Sequence, residues 1–459
     1  MSRNVPTNPV WQLDDTRVSL ATPQGRSAIA LIRLSGPEAL SIAARHVKPW
    51  SVEPREARLC TIHHSGEPLD QALVTVFRGP ESFTGDDVVE ISTHGGLLVP
   101  GSVIAVLVSS GARQALPGEF TRRAVMNGKL DILQAEAIGD LIDAHSHAMR
   151  RAALGQLDGG LSRRLLLLRE ELIGLEALIA YDIDFPEEDD GPVSRERVDS
   201  AIRSLGAALE KLLATGSAGE LIREGAIVVI AGAPNVGKSS LFNALLGRSR
   251  AIVTEIPGTT RDAIEAVIDS GTWPLRLVDT AGLRATDDTI ERMGIEVSER
   301  YLSAAHVVLA CAETDQGVEE TIQIVGGKSS APVLRVRTKS DLVPSGDKLS
   351  LLSDTIMVSA ETGTGLQKLL SAIDEVLEKK HGDIALDLPM LTRVRHRQAI
   401  DVAQAELIQF EQARREEKLP PTVAAVHLRA AVGALEELIG TVDVEDIFDR
   451  VFSSFCVGK

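Results

Sequence analysis

Apolar residues in the first part of the chain come in short runs separated by glycine, proline and polar turns. The runs Ala28–Leu34, Leu73–Phe77 and Val88–Ser92 have the length and composition of strands. We therefore predict a compact, strand-rich α+β domain over residues 1–127.

The apolar spacing changes to that of helices from about Leu130. Ile132, Ala135, Ile138 and Ile142 recur at helical intervals, which predicts a helix with one buried stripe. Further leucine-rich or amphipathic stretches predict helices over Leu154–Ala180, Arg195–Ala214, Arg393–Arg415 and Val423–Ile439.

Residues 222–380 alternate apolar strands with helical patterns, which is typical of a parallel α/β sheet. Helical patterns lie on both sides of this segment. We therefore predict an α/β domain over residues 222–380 inserted into an all-α helical domain, whose two parts are residues 128–221 and 381–459.

Composition narrows the class of protein. The 459 residues are 44% hydrophobic and 25% charged, and a net charge of −17 argues against a broad basic surface. The first fifteen residues have no apolar run, and no 18 apolar residues are consecutive. Three scattered cysteines form no CxxC pair. We expect a cytoplasmic protein with no membrane segment.

The clearest chemical motif joins a predicted strand to a predicted helix. The strand Ala226–Ala231 runs into Gly232-Ala-Pro-Asn-Val-Gly-Lys238-Ser239, which has the pattern GxxxxGKS. Glycines let backbone N–H groups face phosphates, the lysine reaches the β and γ oxygens, and the hydroxyl of Ser239 can bind Mg²⁺.

Three further motifs follow in the order of a Ras-like GTP-binding domain: Pro257–Thr260, Asp279–Gly282 and Thr338–Asp341, with Ser359-Ala360 as a last base-contact loop. Thr260 supplies a second Mg²⁺ hydroxyl, and Asp341 can accept from guanine N1–H and N2–H₂. The predicted GTP contacts are Asn235, Val236, Gly237, Lys238, Ser239, Ser240, Thr254, Glu255, Ile256, Pro257, Gly258, Thr259, Thr260, Asp279, Thr280, Ala281, Gly282, Thr338, Lys339, Ser340, Asp341, Ser359 and Ala360.

Two positions depart from the usual GTPase pattern. Thr338 stands where asparagine is common, so we expect guanine specificity to rest on Asp341. Leu283 stands where Ras-type enzymes have the glutamine that orients the attacking water. Glu291, just before Arg292-Met-Gly294, is the best candidate to position that water. Asp287 and Asp288 are interpreted as part of an exposed acidic face.

An arginine finger is not evident in the sequence either. A monovalent cation near the phosphates could take its place, since a finger is worth about 10³–10⁵ in rate. Asn235 could bind such a cation, together with backbone oxygens near Thr254–Thr259.

The whole chain resembles the MnmE (TrmE) family of tRNA modification GTPases. The motifs that carry the resemblance are Thr22–Gly25 with Leu31–Gly36, Ser82–Gly85 with His94–Gly96, Pro117–Phe120, Lys129–Asp131 with Gln134–Ala137, and the ending Phe455-Cys-Val-Gly-Lys459.

The resemblance implies a folate-binding, dimerising N-terminal domain and a potassium- and GTP-dependent association of G domains across a homodimer. It also implies a heterotetramer or larger complex with an FAD-dependent MnmG-type partner. That complex adds aminomethyl or carboxymethylaminomethyl groups at C5 of the wobble uridine of certain tRNAs. The implied K⁺ ligands are Asn235, Thr254, Ile256 and Thr259.

The resemblance also implies a site for a reduced folate of the 5-formyl- or 5,10-methylene-tetrahydrofolate type. Its contacts would be Arg33, Glu90, Lys129 and Lys459, since a glutamate tail pairs with cations and pterin N–H groups pair with a carboxylate. Read without the family, Arg33 and Lys129 are surface charges. Cys456 reads as a thiol packed beside this pocket or, alternatively, as a participant in one-carbon transfer.

Two other functions remain open at the level of the sequence. One is a ribosome-assembly or regulatory GTPase that acts as an RNA-binding switch, although only one GxxxxGKS motif and no GXXG loop in a basic domain are present. The other is a scaffold whose GTPase only regulates dimer shape. Loss of wobble-uridine modification on deletion would exclude both.

Overall fold

The computed structural model describes residues 15–184, 194–248, 264–269, 272–279, 299–343, 354–382, 388–416 and 421–440, together with Phe455 and Gly458. By their internal contacts, the residues form two compact units. The first comprises 1–139 and 439–459, and the second comprises 140–438. No helix of the described ranges is long and apolar enough to cross a membrane.

The first unit contains a seven-stranded sheet in the order β3-β4-β5-β6-β2-β1-β7. All neighbours are antiparallel except the β1–β7 pair. Its strands are β1 (Arg17–Leu20), β2 (Ile29–Ser35), β3 (Val47–Lys48), β4 (Arg58–His64), β5 (Glu67–Phe77), β6 (Val88–His94) and β7 (Arg113–Gln114), and its helices are α1 (Ala39–His46), α2 (Val99–Ser109), α3 (Glu119–Met126) and the start of α4 (Ile132–Ile142).

The two faces of this sheet have different environments. Ile32, Val74 and Ile91 point to one face and are buried with residues of α1 and α2 in a single core. Leu59 and Leu73, which are register partners on the other face, are 61% and 47% exposed. Because side chains alternate along a strand, one face of the sheet is packed and the other carries exposed leucines.

The helices of the second unit are α5 (His147–Leu157), α6 (Gly160–Asp184), α7 (Arg195–Leu213), α8 (Gly216–Glu224), α9 (Lys238–Arg248), α10 (Asp315–Gly326), α11 (Leu366–His381), α12 (Val394–Arg415) and α13 (Pro421–Ile439). The predicted helical stretch Leu154–Ala180 is divided between two of them. Gly159 adopts a φ of 77°, which ends α5 and lets α6 begin in a new direction.

The second unit also contains a six-stranded sheet in the order β13-β12-β11-β8-β10-β9. Five strands are parallel, and β9 runs antiparallel to β10 at the edge. The strands are β8 (Ala226–Ala231), β9 (Ile264–Asp269), β10 (Pro274–Asp279), β11 (Val307–Ala312), β12 (Val333–Arg337) and β13 (Ile356–Met357).

The order of elements confirms the predicted fold class. An α+β domain comes first, and a parallel α/β sheet follows that is preceded and succeeded in the chain by helices. Parallel strands end at one edge of their sheet, so the segments after β8, β12 and β13 and the last residue of β10, Asp279, lie along a common edge. The predicted phosphate and base motifs occupy these segments.

Candidate functional site

The loop from Gly232 to Ser239 connects β8 to α9 and has the backbone of a phosphate-binding turn. Gly237 has a φ of 94° and Asn235 a φ of 63°, both in the left-handed region. A Cβ on Gly232 would lie 2.2 Å from the Cys311 carbonyl oxygen of β11, so only glycine fits there. The loop is thereby held against the neighbouring strand.

The lysine and serine of this loop have defined partners. Lys238 is buried, and its Nζ donates to the Ala233 carbonyl oxygen at 2.8 Å, within the loop itself. The Ser239 hydroxyl donates to Oδ2 of Asp279 at 2.6 Å. Asp279 is fully buried at the end of β10. The two motifs predicted to bind phosphate and Mg²⁺ are therefore in direct contact.

Oxygen donors of this kind suit Mg²⁺, which takes carboxylate and hydroxyl oxygens together with substrate phosphates. In the ranges that the structure describes, no group of three or more His, Cys, Asp or Glu side chains could hold a metal ion. A cation at Ser239 and Asp279 would have further positions for phosphate oxygens, for water and for the predicted ligand Thr260, which lies outside the described residues.

The guanine motif is joined to the phosphate loop through Thr338 and Lys339. The Thr338 hydroxyl lies 2.5 Å from the Val236 carbonyl oxygen and 3.2 Å from that of Ala312. Lys339 has a φ of 55°, and its Nζ donates to the Asn235 carbonyl oxygen at 3.0 Å and to Glu313. Two side chains of the motif therefore bind the loop that follows β8.

The base-contact segments after β12 and β13 are also adjacent. Ser340 N donates to the Val358 carbonyl oxygen at 3.0 Å, and the buried Ser359 hydroxyl accepts from Thr362 N at 3.2 Å. Asp341 is exposed. Within the described residues no hydrogen bond or ion pair is recorded for its carboxylate, so both oxygens can accept from a ligand.

Several predicted site residues lie outside the described residues. They are the switch residues Thr254, Glu255, Ile256, Pro257, Gly258, Thr259, Thr260, Thr280, Ala281 and Gly282, the proposed water-positioning Glu291, Leu283, and the C-terminal Cys456 and Lys459. Of the proposed K⁺ ligands, only Asn235 is described, and it is an exposed residue of the phosphate loop.

A second polar cluster lies on the face of the first sheet opposite its core, where its two side chains are largely covered. Arg33 of β2 and Glu90 of β6 are register partners, and Arg33 donates from Nε and Nη2 to Oε1 of Glu90 at 3.0 and 2.7 Å. Arg33 Nη1 donates to the Gly458 carbonyl oxygen at 3.4 Å. Two predicted folate contacts, Arg33 and Glu90, therefore bind each other. Arg33 also binds Gly458, which precedes the predicted contact Lys459 in the sequence.

Aromatic rings enclose the same guanidinium. Arg33 Cζ lies 5.4 Å from the ring centroid of Phe83 and 5.7 Å from that of Phe120. The sequence predicted no role for either ring, although both belong to motifs that carry the family resemblance. Lys129, the fourth predicted contact, is exposed, and in the described part of the chain no side-chain contact is recorded for it.

The motifs Thr22–Gly25 and His94–Gly96 are brought together at a different place in the first unit. Thr22, Gln24 and Gly96 line a cavity of about 450 Å³, together with apolar residues that include Leu97 and Ile104. Neither Arg33 nor Glu90 is among its lining residues.

Cys311 lies next to the phosphate loop, but its thiol is fully buried and has no role in the proposed reaction. Burial raises the pKa of its thiol to about 12. The Sγ donates to the Leu309 carbonyl oxygen at 3.6 Å within β11. The thiol therefore stays protonated, and Cys311 serves as a core residue beside Gly232.

Comparison with protein-family models gives two matches that together span most of the chain. The model described as the MnmE helical domain matches residues 132–456, and the model described as the GTP-binding protein TrmE N-terminus matches residues 16–129.

Full-length relatives are similar over nearly the whole chain. A tRNA modification GTPase MnmE from Moorella thermoacetica is 42% identical, covering 97% of this chain and all of that protein. One from Aquifex aeolicus is 39% identical, covering 96% of this chain and 99% of that protein. Among solved structures, the G domain of the FeoB iron transporter of T. maritima is 26% identical, with a TM-score of 0.26, over 33% of this chain and 98% of that one.

Proposed function

The chain belongs to the MnmE family of tRNA modification GTPases, and from that premise we propose that it hydrolyses GTP in the modification of tRNA. The observation that carries the proposal is the common edge of the second sheet. There Lys238, Ser239 and Asp279 offer phosphate and Mg²⁺ contacts, and Asp341 offers a guanine contact.

The phosphate contacts need little rearrangement. Lys238 already lies within the loop, and its hydrogen bond to the Ala233 carbonyl oxygen can be exchanged for the β and γ oxygens of GTP. Ser239 would hold Mg²⁺ through its hydroxyl oxygen and Asp279 would hold it through a water molecule, in place of the hydrogen bond between the two side chains. When bound, the ion would supply charge neutralisation for the transferred phosphoryl group.

Guanine specificity is proposed to rest on Asp341. Its exposed carboxylate can accept from both N1–H and N2–H₂ of guanine, which adenine cannot offer. Thr338 and Lys339 keep this loop joined to Val236 and Asn235 of the phosphate loop, so the base and phosphate contacts act on one ligand.

Hydrolysis is proposed to depend on Glu291 and on K⁺. Leu283 cannot hydrogen-bond a water molecule, so Glu291 takes over its orientation. K⁺ would be bound by Asn235, Thr254, Ile256 and Thr259 and would supply the positive charge of an arginine finger. Potassium-dependent pairing of G domains across a homodimer would then drive the GTPase cycle.

The folate site is proposed on the face of the first sheet that carries Arg33 and Glu90. Both guanidinium bonds go to Oε1 of Glu90, and within the described residues none is recorded to Oε2. That second oxygen can accept from pterin N–H groups, while Arg33, Lys129 and Lys459 offer positive charge to the glutamate tail. A bound reduced folate would supply a one-carbon unit.

We propose the homodimer on the same face, because the exposed Leu59 and Leu73 share it with Arg33 and Glu90 through the strand register. With an FAD-dependent MnmG-type partner, in a heterotetramer or larger complex, the dimer would modify C5 of the wobble uridine of certain tRNAs. The cytoplasm, where such tRNAs are found, is the proposed location.

Nucleoside analysis of tRNA tests the function as a whole. We expect a strain that lacks the gene to accumulate unmodified wobble uridine in the affected tRNAs. Wild-type protein should restore the modification, and Lys238→Ala should not, since it removes the phosphate contact. A deletion strain with normally modified wobble uridine would show that the protein serves another process.

A further inference from the structure

The corner between α5 and α6 is positively charged in an acidic chain. The stretch from His147 to Leu168 carries four arginines and one aspartate, although the whole protein has a net charge of −17. The arginines are Arg150 and Arg151 on α5 and Arg163 and Arg164 on α6. We refer to these four residues as the arginine corner.

A cavity of about 370 Å³ lies at this corner. Arg151 lines it from α5 and Arg163 from α6, and Leu388 and Pro389 form another wall. The helices approach closely here, because a Cβ on Gly160 would lie 3.0 Å from the Gly155 carbonyl oxygen. The two exposed guanidinium groups therefore border one recess from two helices.

Several other arginines of the helices in this unit are neutralised by carboxylates. Arg169 pairs with Glu436, Arg393 with Asp140, and Arg429 with Glu176. For Arg150, Arg163 and Arg164, by contrast, no ion pair is recorded among the residues that the structure describes. Arg163 donates to the Asp158 carbonyl oxygen, which orients its guanidinium without cancelling the charge.

These features suit a phosphate group. A guanidinium binds phosphate oxygens through two parallel N–H donors. Gly160 and Leu161, which also line the cavity, are the first residues of the 25-residue α6, whose N-terminal end favours an anion. Asp158 is the single carboxylate residue among the lining residues, and Arg163 binds its backbone carbonyl oxygen.

We propose that the arginine corner is a contact surface for the phosphate backbone of RNA. The proposal rests on the proposed function in tRNA modification and gives it a place where the RNA meets this chain. Because phosphate contacts carry no sequence information, the surface would orient a tRNA and would not select among tRNAs.

Fluorescence anisotropy with a labelled tRNA and the full-length protein tests the proposal. The test variant is the double substitution Arg151→Gln with Arg163→Gln. The matched control is Arg203→Gln with Lys211→Gln, which removes the same charge from two exposed positions of α7. GTP hydrolysis of all three proteins is measured alongside as a check on folding, and we expect it to be unchanged.

We expect the test variant to bind tRNA about tenfold or more weakly than wild type, and an unrelated RNA stem-loop to lose affinity by the same factor. The slope of log K against log salt should shrink by about 0.7–0.9 for each lost phosphate contact. The control should match wild type in both quantities.

Three outcomes would overturn the proposal. One is a wild-type protein that binds no RNA at low salt, and the second is a test variant with the affinity and salt slope of the control. The third is unchanged RNA binding with lost binding of an acidic partner protein, which would make the corner a protein interface. Normal wobble-uridine modification in a deletion strain would instead refute the proposed function. The anisotropy result would still show whether the arginine corner binds RNA.

Discussion

The hydroxyl of Thr338 donates across 2.5 Å to the carbonyl oxygen of Val236, so the guanine loop is joined to the phosphate loop by a side chain that is shorter than the usual asparagine. The same hydroxyl is 3.2 Å from the Ala312 carbonyl oxygen, and its single proton favours the shorter contact. Threonine thus keeps the connection between loops but has no amide to offer guanine N7.

Replacing Thr338 by valine tests this connection with little change in shape. We expect Thr338→Val to weaken GTP binding about fivefold, since a hydrogen bond of this kind is worth about 1 kcal/mol. Thr338→Asn should bind GTP at least as tightly as wild type. Isothermal titration calorimetry measures both. Thr321→Val, which removes a comparable bond to Gly317 on α10, is the control and should leave affinity unchanged.

Asp341→Asn should change the base that the protein accepts. An asparagine can accept from N1–H and donate to the 2-oxo group of xanthine, but it cannot accept both guanine donors. We expect GTP affinity to fall about 100-fold or more and xanthosine triphosphate to become the better ligand. Competition binding with the two nucleotides measures this, and an unchanged preference for GTP would show that another residue reads the base.

Asn235→Gly isolates the proposed cation ligand. The residue has a φ of 63°, and glycine adopts this conformation while removing the side chain. Wild type should hydrolyse GTP at least about tenfold faster in K⁺ than in Na⁺ at equal ionic strength, by analogy with a partly replaced arginine finger. The variant should lose the difference.

Glu291→Ala separates water positioning from the cation. We expect hydrolysis to be slow in both salts, with the K⁺ dependence retained, since the carboxylate orients water and does not bind the ion. Equal rates of wild type in K⁺ and Na⁺ would remove the cation from the mechanism.

We expect the protonation of His306 to lower the free energy of unfolding in acid. Burial, followed by repulsion from His381 and Lys380, lowers the pKa of His306 from 6.5 to about 4, and its Nδ1 accepts from Ile227 N at 3.0 Å. The neutral form is therefore favoured in the folded state. Its contribution to the free energy of unfolding is complete above pH 6.5 and is lost as the pH falls from 6.5 towards 4.

Denaturant unfolding of wild type and His306→Gln at several pH values between 7.5 and 4.5 measures this effect. The variant should be less stable at neutral pH and should lose less stability in acid. His64→Gln, at an exposed histidine of the first unit, should follow the wild-type curve. Parallel curves for all three proteins would contradict the assignment.

Arg33→Gln and Glu90→Gln test the folate cluster. Each breaks the ion pair and removes one proposed ligand contact, so we expect tetrahydrofolate binding to weaken about tenfold or more in both. Arg45→Gln on α1, at an exposed position, should bind normally. Reduced thermal stability with unchanged folate affinity would mean that the pair only joins β2 to β6.

Local sequence predicted the phosphate and base motifs because each consists of neighbouring residues between a strand and a helix. Long-range contacts could not be predicted in this way. The bonds of Thr338 to Val236 and of Arg33 to Glu90 and Gly458 join residues that are far apart in the chain, and they depend on strand order and register. Neither is a property of one segment.

The apolar pattern does not predict the division between α5 and α6. The leucine spacing continues on both sides of Gly159, where the chain changes direction. The arginine corner depends on that turn. Arg151 and Arg163 belong to different helices, and they border one cavity only because the helices meet there.

The contacts of Gly458 bear on how the protein is made. A Cβ on Gly458 would lie 2.4 Å from the Leu20 carbonyl oxygen, and Gly458 also accepts from Arg33. Phe455 lies near Gly139, and Gly440 lies against Ile132. The first unit is therefore completed by residues that are synthesised after the second unit. We infer that the strands of the first unit lack these contacts until the second unit has been translated.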